Sequence, residues 1–119
     1  TPDRVKQVWA ACLSELKPLV LAGHFHNTYG MAIANIYQSL EQGIRVFDSS
    51  IAGLGGCPYA KGASGNVSTG DLYYLLSNMG YDTGIDLDAL MIASQNISQV
   101  LQRTNPSNYA NAYWQKRCA

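Results

Sequence analysis

Four side chains of this 119-residue chain are of kinds that do chemistry, and they fall in two short clusters. His24 and His26 lie two residues apart. On a strand that spacing points both imidazoles to one side. Two converging imidazoles are the start of a metal site, because neutral histidine is the commonest nitrogen ligand; the alternative is a pair of ordinary polar side chains. Asn66 offers a side-chain carbonyl, an oxygen suited to a hard divalent cation, but it also follows Gly65 as a turn or cap residue would. Cys57 stands between Gly56 and Pro58 with Lys61 near in sequence. That setting favours a reactive thiolate; the alternatives are a buried filler and an idle surface thiol.

Cys57 and Asn66 share one stretch, residues 53–66, which holds five glycines. Glycine serves backbone that must take positive φ or admit another group closely, and Pro58 stiffens the step after Cys57. A loop with so little apolar surface is a binding loop or lid, or else a flexible linker. The histidine pair upstream favours the binding loop.

These groups need elements to carry them. Thr1, Pro2 and Asp3 read as N-cap, first helical position and first-turn acid. Val5, Val8, Trp9, Cys12, Leu13 and Leu16 follow at helical spacing, and Pro18 ends the helix. Residues 19–23 are a continuous apolar run, as in a parallel strand buried on both faces, and lead directly into His24. Residues 32–40 read as a helix with Ile33, Ile36, Tyr37 and Leu40 on one side and Gly43 as its terminating glycine. Residues 44–51 are a second strand, apolar at its start and polar at its end (Asp48, Ser49, Ser50). Ser68 to Asp71 resembles a capping box, with Asp71 in place of the usual Glu or Gln. It opens a helix through Leu72, Leu75, Leu76 and Met79, closed by Gly80. A fourth helix covers residues 87–101, with Leu90, Ile97 and Leu101 apolar. In the tail, Tyr109 and Tyr113 have the spacing of one helix face. Helices alternating with strands imply a parallel α/β architecture, in which chemistry gathers beyond the carboxyl ends of strands. Both clusters fall there.

Composition narrows the partners. Hydrophobic residues make up 47% of the chain and charged ones 13%, with zero formal net charge. Such a chain can bury a core, and it has no basic run to meet a phosphate backbone, so no nucleic acid is expected. No apolar run approaches the roughly 18 residues of a membrane span, and no membrane partner is expected. The opening residues lack a signal-peptide pattern. The chain begins at Thr1 rather than a methionine, which points to something removed or left out upstream. Three scattered cysteines (Cys12, Cys57, Cys118) fit free thiols in a reducing compartment.

The motifs His24-Phe25-His26-Asn27-Thr28-Tyr29-Gly30, Gly55-Gly56-Cys57-Pro58-Tyr59-Ala60 and Gly62-Ala63-Ser64-Gly65-Asn66 together resemble the 3-hydroxy-3-methylglutaryl-CoA lyase family. The likeness runs over residues 1–101, the C-terminal part of such an enzyme, with 102–119 as a tail. A related metal-dependent aldolase of the same superfamily is the alternative enzyme reading, since such enzymes share the histidine motif, but they do not carry the cysteine loop. The resemblance implies a (β/α)8 TIM barrel, α/β in class, with residues 19–26 and 44–51 as its last two strands. It implies Mg²⁺ or Mn²⁺ held by His24, His26 and Asn66, completed by an aspartate on a strand this chain does not contain. The implied reaction is retro-Claisen cleavage of 3-hydroxy-3-methylglutaryl-CoA to acetyl-CoA and acetoacetate, a step of leucine degradation and ketone body formation. Cys57 would be its general acid. An acyl-CoA substrate and a homo-oligomer are implied as well, in the cytoplasm of a bacterium or the mitochondrial matrix of a eukaryote. Asn27 and Gly70 depart from the family, which commonly carries Asp and Glu there. Two strands cannot close a barrel. The chain is therefore expected to be a segment inactive without the rest of the barrel, a unit completed by further copies, or a non-catalytic remnant or interaction module.

Overall fold

Pro2 opens α1 (Pro2–Leu13) with Thr1 as its N-cap residue, although the Thr1 side chain makes no capping bond. The computed structural model describes residues 1–59 and 62–118. They form two compact units, Thr1–Asp48 with Gly56–Asn66, and Ser49–Gly55 with Val67–Ala119.

In the first unit α1 packs on α2 (Ala32–Glu41). Of the stripe expected on α1 only Trp9 is buried, while Val8 and Leu16 are exposed. Trp9 is the anchor. Its indole N–H donates to Ser39 Oγ at 2.7 Å, and Ser39 Oγ donates to the Asn35 carbonyl at 2.7 Å. A buried indole needs such a partner. Beside it, Ala32, Ile36 and Leu40 form the buried face of α2. Gly43, at φ 87°, ends that helix as its sequence position implies. The Gly43 amide donates to Leu40 O and the Ile44 amide to Ser39 O, the paired bonds of a Schellman cap.

The strands β1 (Ala22–His24) and β2 (Val46–Asp48) lie parallel, with Ala22 opposite Val46, Gly23 opposite Phe47 and His24 opposite Asp48. With α2 between them they make a βαβ unit, the α/β class expected. Gly23 is a packing requirement: a Cβ there would lie 2.8 Å from both Phe25 Cε2 and Phe47 Cδ1. The first strand starts later than the apolar run at residues 19–23. Pro18 instead opens a 3₁₀ turn, Pro18–Val20. The Val20 and Leu21 amides are spent on Lys17 O and Pro18 O, leaving Leu19 and Val20 87% and 68% exposed. Burial on both faces is not found either. Among the described residues the sheet has only two strands, and Ala22, His24, Val46 and Asp48 on one face are all exposed.

In the second unit, α3 (Thr69–Asn78) is capped by Ser68 Oγ, which accepts the Asp71 amide at 3.1 Å. The Asp71 carboxylate turns elsewhere. It accepts Ser107 Oγ at 3.0 Å and the Tyr109 amide at 2.8 Å, so it sits at the start of α5 (Asn108–Cys118), where a negative charge complements the helix dipole. Asp86 caps α4 (Leu87–Val100) through the Ala89 amide. Leu90, Met91 and Ala110 are the core of this unit, with Tyr73, Leu87, Tyr109, Tyr113 and Trp114 packed against it. Tyr113 Oη and Arg117 Nη2 both donate to Asp88 Oδ1. The Tyr113 bond, and then Arg117, hold the Asp88 carboxyl below the usual carboxylate range. No helix of the described residues is long and apolar enough to cross a membrane.

The cap of α4 carries a testable strain. The Gln102 amide donates to Gln99 O and the Arg103 amide to Ser98 O, so Gln102 occupies the Schellman position at φ 48°. A side chain in this left-handed region costs about 1–2 kcal/mol, partly offset by the lower backbone entropy loss of a non-glycine residue. Gln102→Gly is expected to raise unfolding free energy by about 0.5–1 kcal/mol. Urea denaturation checks it: the midpoint should rise at unchanged slope, and a fall would show that the Gln102 side chain contributes more than its backbone strain costs.

Candidate functional site

The pairing of the two strands builds one side of the site. Aligned residues of parallel strands face the same way, so His24 at the end of β1 meets Asp48 at the end of β2. His24 Nδ1 lies 3.2 Å from Asp48 Oδ2. Two residues on, His26 brings its ring to 5.3 Å from that of His24, centroid to centroid, tilted by 53°. The rings meet although the strand expected over residues 19–26 ends at His24, with His26 held beyond it in an isolated bridge.

Asn66 reaches the same place from the far end of the glycine loop. His26 and Asn66 form an isolated antiparallel bridge, and the Asn27 amide donates to Gly65 O at 3.1 Å. Asn66 is half-buried and its Oδ1 is closed to solvent. Asn27 Oδ1 also accepts the Ala32 amide at 3.2 Å, so the departure at position 27 keeps an acceptor for the first turn of α2. The departure at position 70 is tightly enclosed: a Cβ on Gly70 would meet Met91 Cε and Ser107 Oγ at 3.1 Å each.

Cys57 is a half-buried free thiol in the loop. Gly53, Gly55 and Gly62 take φ of 57°, 103° and 81°, so three of the loop glycines serve the conformation that other residues resist. Lys61, expected near the thiol, lies outside the described residues. So does Ala60.

The donors fit a divalent cation as part of a shell. An ionised carboxylate can only accept a hydrogen bond. Asp48 faces Nδ1 of His24, so Nε2 is the ring nitrogen that this contact does not engage. An amide oxygen suits a hard divalent cation and imidazole nitrogens suit borderline divalent metals, so the set matches a mixed nitrogen and oxygen shell. Among the described residues no group of three or more His, Cys, Asp or Glu side chains could hold a metal ion.

Residues 1–97 match the HMGL-like family. This chain belongs to that family. Similar HMGL-like relatives include the hydroxymethylglutaryl-CoA lyase of Pseudomonas mevalonii, 55% identical over 106 residues, a match covering 89% of this chain and 35% of that protein. The cytoplasmic 3-hydroxy-3-methylglutaryl-CoA lyase of Rattus norvegicus is 48% identical over 117 residues, 98% of this chain and 34% of that protein. Among solved structures, the hydroxymethylglutaryl-CoA lyase from Pseudomonas aeruginosa superposes with a TM-score of 0.91 at 52% identity, over 98% of this chain and 39% of that one. An HMG-CoA lyase from Acinetobacter baumannii, in complex with coenzyme A and 3-methylmalate, gives 0.88 at 43% identity, over 94% and 37%. The chain thus spans about a third of the length of the curated relatives it matches.

Asp48 is not recognisable from the sequence as a partner of His24. The available signal was two strands, one ending in histidine and one in aspartate, but only the register places these ends side by side.

Proposed function

We propose that this chain is the C-terminal part of a TIM-barrel lyase that cleaves 3-hydroxy-3-methylglutaryl-CoA to acetyl-CoA and acetoacetate. The supporting observation is the gathering of the two rings at 5.3 Å with Asn66 bridged to His26. In this reading residues 1–101 belong to the barrel, and the exposed sheet face and Leu19 and Val20 are covered by the strands that complete it. Acyl-CoA as the substrate class draws support from the coenzyme A bound by the Acinetobacter baumannii relative.

His24, His26 and Asn66 would hold Mg²⁺ or Mn²⁺. When bound, the cation would polarise the tertiary hydroxyl of the substrate and lower the cost of passing its proton to a base supplied by the rest of the barrel. Asp48 holds the His24 ring, and the Asn27–Gly65 bond holds the end of the loop against the histidine segment. Breaking the carbon–carbon bond leaves an enolate on acetyl-CoA. Cys57 donates the proton that quenches it at carbon, while the loop excludes water from the reacting centre. The protein acts as a homo-oligomer, in the cytoplasm of a bacterium or, in a eukaryote, in the mitochondrial matrix or the cytoplasm, where relatives of both kinds are named.

An acetoacetate assay tests this. The segment joined to the remainder of the barrel releases acetoacetate in a Mg²⁺- or Mn²⁺-dependent manner, and the isolated 119 residues release none. No release from the completed barrel would overturn the lyase reading; release by the isolated chain would overturn its dependence on the rest.

A further inference from the structure

We propose that Asp48 is a positioning residue, whose carboxylate holds His24 as the Nδ1–H tautomer and presents Nε2 to the cation. The inference rests on the metal site proposed above. Three observations carry it. His24 and Asp48 are register partners in the parallel pair. Their facing atoms, Nδ1 and Oδ2, are 3.2 Å apart. The other strand positions on that face, Ala22 and Val46, bring no polar group to compete for the ring.

The chemistry rests on what each group can do. Neutral imidazole carries one proton, and in water it prefers the Nε2–H form. That form would present a hydrogen, rather than a lone pair, from Nε2. An ionised carboxylate at Nδ1 reverses the preference because it can only accept. Histidine ligands commonly have their second nitrogen fixed in this way. The side chains of His24 and Asp48 are 56% and 66% exposed, and a solvated pair contributes little to stability. The register sets Asp48 beside the ring, and the carboxylate acts there by fixing which nitrogen carries the proton.

Long-range ¹H–¹⁵N correlation spectra of the metal-free protein, at a pH where imidazoles are neutral, test the tautomer directly. His24 should show the Nδ1–H pattern. Asp48→Ala should shift it to Nε2–H while leaving the His26 pattern unchanged, and should weaken Mn²⁺ binding by about 10–100-fold. Asp48→Asn keeps the shape and one acceptor oxygen, so it should give a mixture of tautomers and a smaller loss; it carries the test if the alanine variant does not fold. An Nε2–H pattern for His24 in the parent protein would overturn the proposal. So would an unchanged pattern in the variants, or a tautomer switch that leaves Mn²⁺ affinity untouched while His26→Ala weakens it. If neither His24→Ala nor His26→Ala affects the Mn²⁺ titration, the metal reading itself fails, and Asp48's role with it, even where the tautomer switches.

Discussion

Cys57→Ala in the completed barrel is expected to lower turnover of 3-hydroxy-3-methylglutaryl-CoA by roughly 10²–10⁴-fold, the usual worth of a positioned general acid, with Mn²⁺ affinity unchanged. Alanine removes only the thiol. Gly53, Gly55 and Gly62, which set the left-handed turns of the loop, are untouched, as is the Asn27–Gly65 bond at its far end. A loss of metal affinity alongside activity would mean that the loop had refolded. Turnover near that of the parent would remove Cys57 from the mechanism.

His26→Ala should weaken Mn²⁺ binding by at least about 100-fold, since groups one layer further out already account for 10–100-fold. His26 is the better histidine to test. Its backbone bridge to Asn66 uses main-chain groups that alanine retains, so the amide oxygen stays in place while one imidazole is lost. Titration followed by the Mn²⁺ resonance signal reads the outcome. An unchanged isotherm would show that the cation, if bound, has other ligands. Turnover should fall in step at fixed metal concentration and recover partly as Mn²⁺ is raised.

The fold was legible wherever one residue decides a local outcome. Gly43 and Gly80 end α2 and α3 because the left-handed position excludes most other residues, and Ser68 caps α3 through a bond that needs only its own hydroxyl. The run at residues 19–23 was misleading, since apolarity says nothing about where the backbone amides go; Pro18 directs two of them into a turn. The exposure of Val8 and Leu16 was equally hidden, because helical periodicity identifies a stripe without saying what lies against it. In the candidate site, the nearness of the two histidine rings was legible from their two-residue spacing, though β1 stops at the first of them. The proximity of Asn66 to His26 needed the long intervening stretch to close on itself, and the pairing of His24 with Asp48 needed the register of a sheet. Asp71 shows the same limit in reverse: its sequence position marks it as part of a local box, while its carboxylate binds a partner thirty-six residues on.

That reach of Asp71 bears on where the folded body stops. The family match ends at residue 97, which invites treating the later residues as an appendage. Yet a single carboxylate clasps Ser107 and Tyr109, and Ala110 lies in the same buried cluster as Leu90 and Met91. Trimming the chain at the edge of the family match would lay that cluster bare and strip Asp71 of both its donors, so the last helix acts as the keystone of its unit.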